Sequence, residues 1–316
     1  MKNYYYAIDV GGTTTKGGII DENNKILFKE IIKTDLKQYN NSLSQCILQL
    51  IKNLEKSSNL KIDNALGLGI GIPGEIDTQN GIIAVSRNLD LINVKIVAEL
   101  KKHLNLPIKI INDASAAALG EFKTGAAKKY KNFVMLTLGT GIGGELFVNG
   151  EPLSSISPFS GEFGHIKTCG GTNKKCACGE IDCFELYGST RALTNQTRDA
   201  MINNPKSKMW ETYNDKNVNG RTVFEYLNKD KTADEVFKNY INYLGTGIVS
   251  IINLVMPEAI IIGGSISNEK HKLTIPLEKF VNEHIYAKTI PSCHVKIIPA
   301  KLGSNAGIIG AKNLFD

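Results

Sequence analysis

The chain has 316 residues, 42% hydrophobic and 22% charged, with a formal net charge of +6. That length exceeds a single core and predicts two domains of an ordinary globular protein, and its longest apolar runs, IINLVM (251–256) and AIIIGG (259–264), are far too short to span a bilayer. The lysine pairs (Lys101–Lys102, Lys128–Lys129, Lys174–Lys175) are scattered rather than interleaved with aromatics, which argues against a nucleic-acid partner, although a positive field suits a small polyanionic ligand.

The chain enters a strand-like run directly, with no charged and apolar leader ahead of it, so a cytoplasmic location is expected. Cysteines there are reduced, and clusters of them read better as metal ligands than as disulfides. Residues 4–10 (YYYAIDV), 15–21 (TKGGIID) and 25–32 (KILFKEII) predict three strands joined by tight turns. In 42–60, Leu43, Ile47, Leu50, Ile51 and Leu54 recur at helical spacing. A strand ending in a Gly-Pro turn follows over 65–74, then a helix in 97–107 that ends before Pro107, and a strand over 108–113. ASAAALG (114–120) reads as a helix start packed closely by small residues, and the polar stretch 204–221 as an insertion loop between helices.

AIDVGGTTTKGGIID (7–21) and MLTLGTGIGGELFVN (135–149) share one plan of apolar strand, Gly/Thr-rich turn and second strand. Such an echo implies two related α/β lobes whose glycine turns face one cleft, joined near 114–130. A further glycine turn, IIIGGSIS (260–267), follows another apolar strand. None of the three is the dinucleotide GxGxxG preceding a helix, and none is the GxxxxGK[ST] phosphate loop.

In DVGGT (9–13), glycines let the backbone approach a phosphate and free N–H groups make an anion nest. Asp9 at the strand end is placed to hold magnesium, and Thr13 adds a hydroxyl; a plain hairpin turn explains the same glycines equally well. GTGIGG (139–144) and Gly263–Gly264 shift the balance toward a nucleotide cleft. In NDA (112–114), Asp113 suits a general base toward a substrate hydroxyl, but alone it reads more readily as the cap of the following helix. Glu162, His165 and Glu185 are acceptor-rich side chains of the kind that read sugar hydroxyls. Cys176, Cys178, Cys183 and His165 make a complete tetrahedral set for zinc with no open position, hence a structural site. Cys169 is a possible stand-in ligand, while Cys46 and Cys293 read as core residues.

DVGGT, GIPG, NDA, GTGIGG, GEFGH, CACGEIDCFE, IIIGGSIS and LGSNAGIIGA (302–311) occur in the order found in the ROK family of bacterial sugar kinases, which this sequence resembles from first strand to last helix. The resemblance implies a two-lobed actin/hexokinase-type fold, a duplicated ribonuclease H-like α/β unit, closing over ATP and a hexose. The smaller lobe is expected over 1–118, completed by a C-terminal helix (305–316), and the larger over 119–304 with the zinc loop. By position, Asp113 resembles the catalytic base; Asn88, Asn112, Asp113, Glu162, His165 and Glu185 the sugar contacts. Gly11, Gly12, Thr13, Thr140 and Gly141 resemble phosphate contacts, Gly263, Gly264 and Gly303 the nucleoside side, and His165, Cys176, Cys178 and Cys183 the zinc ligands. One histidine thus serves both metal and sugar, with magnesium and ATP completing the site and a homodimer or dimer of dimers implied. Two positions depart from the family pattern. Asp182 replaces the final glycine of CGxxGC, and Glu145 a third glycine after GTGIGG.

The implied activity is an ATP-dependent hexose kinase, with the glucose 6-hydroxyl as the favoured acceptor by resemblance to glucokinase-type members. N-acetylmannosamine, N-acetylglucosamine or fructose kinases are the alternatives within the class. The family's sugar-responsive repressors carry a winged helix ahead of the DxGGT strand, for which the eight residues before Asp9 leave no room. A zinc hydrolase would need an open metal position and HExxH, and a non-sugar ATPase has no use for GEFGH with three cysteines.

Overall fold

A computed structural model describes residues 3–153, 161–168 and 172–316. They separate into two compact units, one of residues 3–129 and 304–316, the other of 130–153 and 161–303.

The first unit opens with β1 (Tyr4–Val10), β2 (Thr14–Asp21) and β3 (Ile26–Lys33), an antiparallel meander. Helix α1 (Leu43–Ser58) follows, capped by Ser42 and closed by Asn59 in the left-handed region at φ 58°. Its buried stripe Leu43, Ile47, Leu50, Ile51 and Leu54 is the one its spacing predicts, and Leu50 and Leu54 press on Gly17, where a side chain would collide with them. Next come β4 (Leu68–Ile72), β5 (Glu75–Asp77), β6 (Ile82–Ser86), β7 (Leu91–Val94), α2 (Ile96–Lys101), β8 (Ile108–Asn112) and α3 (Asp113–Thr124). The main sheet runs β3-β2-β1-β4-β8, with β1, β4 and β8 parallel; β5-β6-β7 form a small separate sheet. Strands this short carry too little alternation to be predicted from sequence. Helix α2 also stops well before Pro107, because the Pro107 carbonyl already accepts from Leu68 N at 2.9 Å and holds that segment extended.

The second unit repeats the plan. It consists of β9 (Phe133–Leu138), β10 (Ile142–Val148), β11 (Glu151–Pro152), α4 (Glu185–Gly188), α5 (Thr190–Asn203), α6 (Thr222–Tyr226), α7 (Lys231–Val255), β12 (Ala259–Gly263), α8 (His271–His284) and β13 (Lys296–Pro299). Its sheet runs β11-β10-β9-β12-β13, with β9, β12 and β13 parallel, the same order and sense as the first sheet. The core lies between this sheet and α7 and α8, around Leu136, Phe184, Leu244, Ile248, Ile262 and Leu277. The stretch 204–221 does lie between helices, but it is more than a loop: Met209 and Val218 are buried with Met201 and Ala233, and Trp210 Nε1 donates to Met201 O at 2.9 Å.

Helix α9 (Ala306–Lys312) belongs to the first unit and packs against α3 and β4. Gly69, Gly120 and Gly310 bring these backbones together so closely that a Cβ at any of them would overlap main-chain atoms of the neighbouring element. Cys46 is buried in the first unit's core, whereas Cys293 is only half-buried in a 3-10 turn beside exposed Pro291, which corrects its reading as a core residue. Cys169 lies outside the described residues. No helix among the described residues is long and apolar enough to cross a membrane.

Candidate active site and metal cluster

In the first unit, Asp9 of β1 stands opposite Gly71 of β4, which stands opposite Ile111 of β8. Asp113 follows two residues later as the first residue of α3. Both carboxylates therefore sit at the carboxyl ends of the parallel strands that flank β4, the side on which open α/β sheets bind ligands. The bare Gly71 lies between them: a Cβ there would be 3.6 Å from Asp113 Cα and 3.9 Å from Asp9 Oδ1.

Asp9 Oδ2 lies 3.8 Å from Lys16 Nζ, and burial pushes its carboxyl above the usual range against the pull of that ammonium. Gly307 of α9 makes room for it, since a Cβ at that position would come within 2.8 Å of either carboxylate oxygen. A cation here would restore the ionised form that burial disfavours.

The helix cap falls to Asn112, not Asp113. Asn112 Oδ1 accepts from Ala114 N at 2.8 Å and Ser115 N at 3.2 Å, and its Nδ2 donates to Gly74 O at 2.9 Å. That leaves at most one Nδ2 hydrogen for a ligand. The Asp113 carboxylate accepts from Ala114 N at 2.9 Å, within the positive end of the α3 dipole. Asn88 is exposed beside the DVGGT turn, with its Cβ 3.8 Å from where a Cβ on Gly12 would sit. Gly12 and Thr13 are exposed; Gly11 N donates to Thr14 O at 3.0 Å and closes the turn.

In the second unit the two glycine turns converge. Gly264, at φ 84°, packs on the Leu138 main chain immediately before Gly139–Thr140–Gly141. Gly139 N donates to Gly141 O at 3.0 Å. The start of α5 closes on the same turn: Thr190 Oγ1 donates to Leu138 O at 3.0 Å and Arg191 N to Gly139 O at 3.1 Å. This helix start is absent from the elements predicted from sequence, although Ser189 ahead of the 190–203 helix is an N-cap signal, and its Oγ accepts from Ala192 N at 3.0 Å. Gly303, at φ 55°, has no atom near its Cβ position. Glu145 stands in the β10 ladder opposite Met135, past the turn, so its side chain costs the turn nothing.

His165, Cys176, Cys178 and Cys183 bring their ligand atoms within 4.8 Å of one another. An ion with bonds of 2.0–2.3 Å in tetrahedral geometry sets its ligands roughly 3.4–3.8 Å apart. Cys178 Sγ and Cys183 Sγ are 3.7 Å apart, and Cys176 Sγ and His165 Nδ1 3.8 Å, so the donor set fits such an ion. Burial pushes the Cys176 thiol up to about 12, whereas Cys178 sits below the usual thiol value because the Glu180 N–H and neighbouring thiols outweigh burial. The other histidine nitrogen, Nε2, lies 3.9 Å from Glu162 Oε2. Glu185 links cluster and glycine turn: Oε1 accepts from Cys176 Sγ at 3.1 Å, and Oε2 accepts from Ile142 N at 3.3 Å against the bare Gly141.

Residues 5–316 match the model of the ROK family. A glucokinase of Halalkalibacterium halodurans is 28% identical over 309 residues, covering 97% of this chain and 93% of its own. The xylose repressor of Bacillus subtilis is 30% identical over 251 residues, 79% of this chain and 60% of the repressor. The crystal structure of a ROK family glucokinase from Streptomyces griseus in complex with glucose and AMPPNP aligns at a TM-score of 0.85 and 25% identity, covering 99% of both chains. Mixed sheets flanked by helices in two domains are the fold this chain shares with it. From the family match along nearly its whole length, the chain belongs to the ROK family.

Proposed function

We propose that the protein is an ATP-dependent hexose kinase that phosphorylates glucose at its 6-hydroxyl. The observation that carries this reading is the placement of Asp9 and Asp113 at the carboxyl ends of the two parallel strands that flank β4, in a chain aligned along 99% of its length with a glucokinase holding glucose and AMPPNP. Phosphoryl transfer asks the protein for positioning, charge neutralisation and a base, and little covalent chemistry. Asp113 is the base: its carboxylate takes the proton from the sugar hydroxyl as that oxygen attacks the γ-phosphorus of ATP and the bond to the β,γ-bridging oxygen breaks, releasing ADP. Asp9 is the group for magnesium, which supplies charge neutralisation at the phosphates.

We assign phosphate contacts to Gly11, Gly12, Thr13, Thr140 and Gly141, and the nucleoside side to Gly263, Gly264 and Gly303. The sugar contacts are Asn88, Asn112 and Asp113 in the first unit and Glu162, His165 and Glu185 in the second. His165, Cys176, Cys178 and Cys183 hold a structural zinc, whose four ligands leave no position for water and whose contribution is a rigid cross-link. His165 then spends Nδ1 on the metal side and keeps Nε2, on the Glu162 side, for a hydroxyl.

Kinases for N-acetylmannosamine, N-acetylglucosamine or fructose are the nearest alternatives, and the likeness to a xylose repressor favours a sugar-sensing role as the second reading. A coupled assay of ATP consumption with magnesium, comparing glucose, fructose, mannose, N-acetylglucosamine and N-acetylmannosamine by kcat/KM, separates them. Glucose should give the highest value. Binding of a sugar without turnover would refute the kinase reading and leave the sensor.

A further inference from the structure

We infer that Asp182 is a positioning residue that clamps the cysteine loop in its metal-binding shape, an inference that rests on the zinc reading above. Asp182 sits at φ 52°, a left-handed conformation in which glycine is at home and an aspartate is strained unless its side chain finds partners. Here it finds four. Oδ1 accepts from Tyr187 Oη at 2.6 Å, Thr172 Oγ1 at 2.8 Å and Lys174 N at 3.1 Å, and Oδ2 accepts from Asn173 N at 3.1 Å. The residue is only 6% exposed, so these donors replace water almost entirely.

The backbone of Asp182 adds a fifth tie, its N–H donating to Lys174 O at 2.8 Å. Isolated bridges pair Lys175 with Ile181 and Lys167 with Cys183, and Cys176 N donates to Glu180 O at 2.7 Å. The clamp therefore closes the base of the loop that carries Cys176 and Cys178, one residue before Cys183. Tyr187 anchors it to the body of the second unit. Its ring is 2% exposed and packs on Tyr243 of α7 with centroids 5.5 Å apart. Glycine at 182 would relieve the backbone and delete every side-chain bond, so Asp182→Gly separates the two effects.

The test loads the full-length protein and its variants with zinc, then follows release to a chromophoric chelator and measures sugar KM and kcat. Removal of outer partners of metal ligands costs about 10–100-fold in affinity, and Asp182→Gly should release zinc faster by that order. Its sugar KM should rise with kcat nearly unchanged, and Asp182→Asn, which keeps one acceptor oxygen and tolerates the left-handed conformation, should recover part of both. If Asp182→Gly does not fold, Tyr187→Phe, which removes a single donor, should still release zinc several-fold faster than the parent. Release at the parental rate, or an unchanged sugar KM, overturns the clamp while the kinase and zinc readings stand. A parent protein that takes up no zinc overturns the zinc reading and the clamp together, and turnover of sugar by that protein would leave the kinase reading intact.

Discussion

Replacing Asp113 with asparagine tests the assignment of the base most directly, because the structure predicts very different effects on fold and turnover. The carboxylate accepts from Ala114 N at 2.9 Å, a bond that asparagine can copy, and the helix cap is held separately by Asn112. What asparagine loses for the fold is a negative charge in the first turn of α3, worth about 0.3–1 kcal/mol. What it loses for catalysis is the proton acceptor, worth about 10²–10⁴-fold in kcat, or roughly 2.7–5.4 kcal/mol. Melting followed by circular dichroism should therefore shift by no more than about 4 °C. Steady-state kinetics should show kcat down by at least about 100-fold with sugar KM within a few-fold of the parent. A folded variant with near-parental kcat, or one whose loss lies entirely in KM, would refute the argument that Asp113 takes the proton.

Cys178→Ser should lower zinc content at purification and weaken sugar affinity, leaving the proton-transfer step in place; stoichiometric zinc in elemental analysis of that variant would exclude Cys178 as a ligand. Asp230 caps α7 and accepts from Ala233 N at 3.0 Å, Ser207 Oγ at 3.1 Å and Lys208 N. Burial works to raise its carboxyl, but these bonds outweigh it and hold it below the usual value. A carboxyl lowered on folding contributes stability above its unfolded value, lost as pH falls through the folded one. The parent's melting temperature should thus fall more steeply than that of Asp230→Asn from pH 5 to pH 3; parallel curves would show that Asp230 contributes nothing to acid sensitivity.

Patterns confined to one segment were legible in the sequence. The strands at 4–10 and 15–21, the α1 stripe and the paired hairpins follow from periodicity and glycine placement, and the structure has each of them. Features that depend on distant partners were not. The reach of Glu185 to Ile142 N spans 43 positions, and no spacing rule announces it. Asn and Asp are equally good caps, so which of Asn112 and Asp113 closes α3 is decided by how β8 delivers them, a one-residue difference below the resolution of propensity. The short α2 was lost to the extended backbone around Pro107, and Cys293 to a turn that only tertiary packing places near the surface.

The position of α9 has a consequence for biosynthesis. The first unit is begun before any of the second is synthesised, yet Gly69 and Gly120 wait for α9 to arrive against them. Until residues 304–316 emerge, β4 and α3 keep an uncovered apolar face, while the second unit has all of its strands from 130 to 303. The unit made first is therefore the unit finished last, and its half-built sheet is the stretch most in need of chaperone cover. A stalled nascent chain ending at residue 303 should lose its first unit to limited proteolysis and keep its second; equal protection of both would show that the first sheet stands without α9.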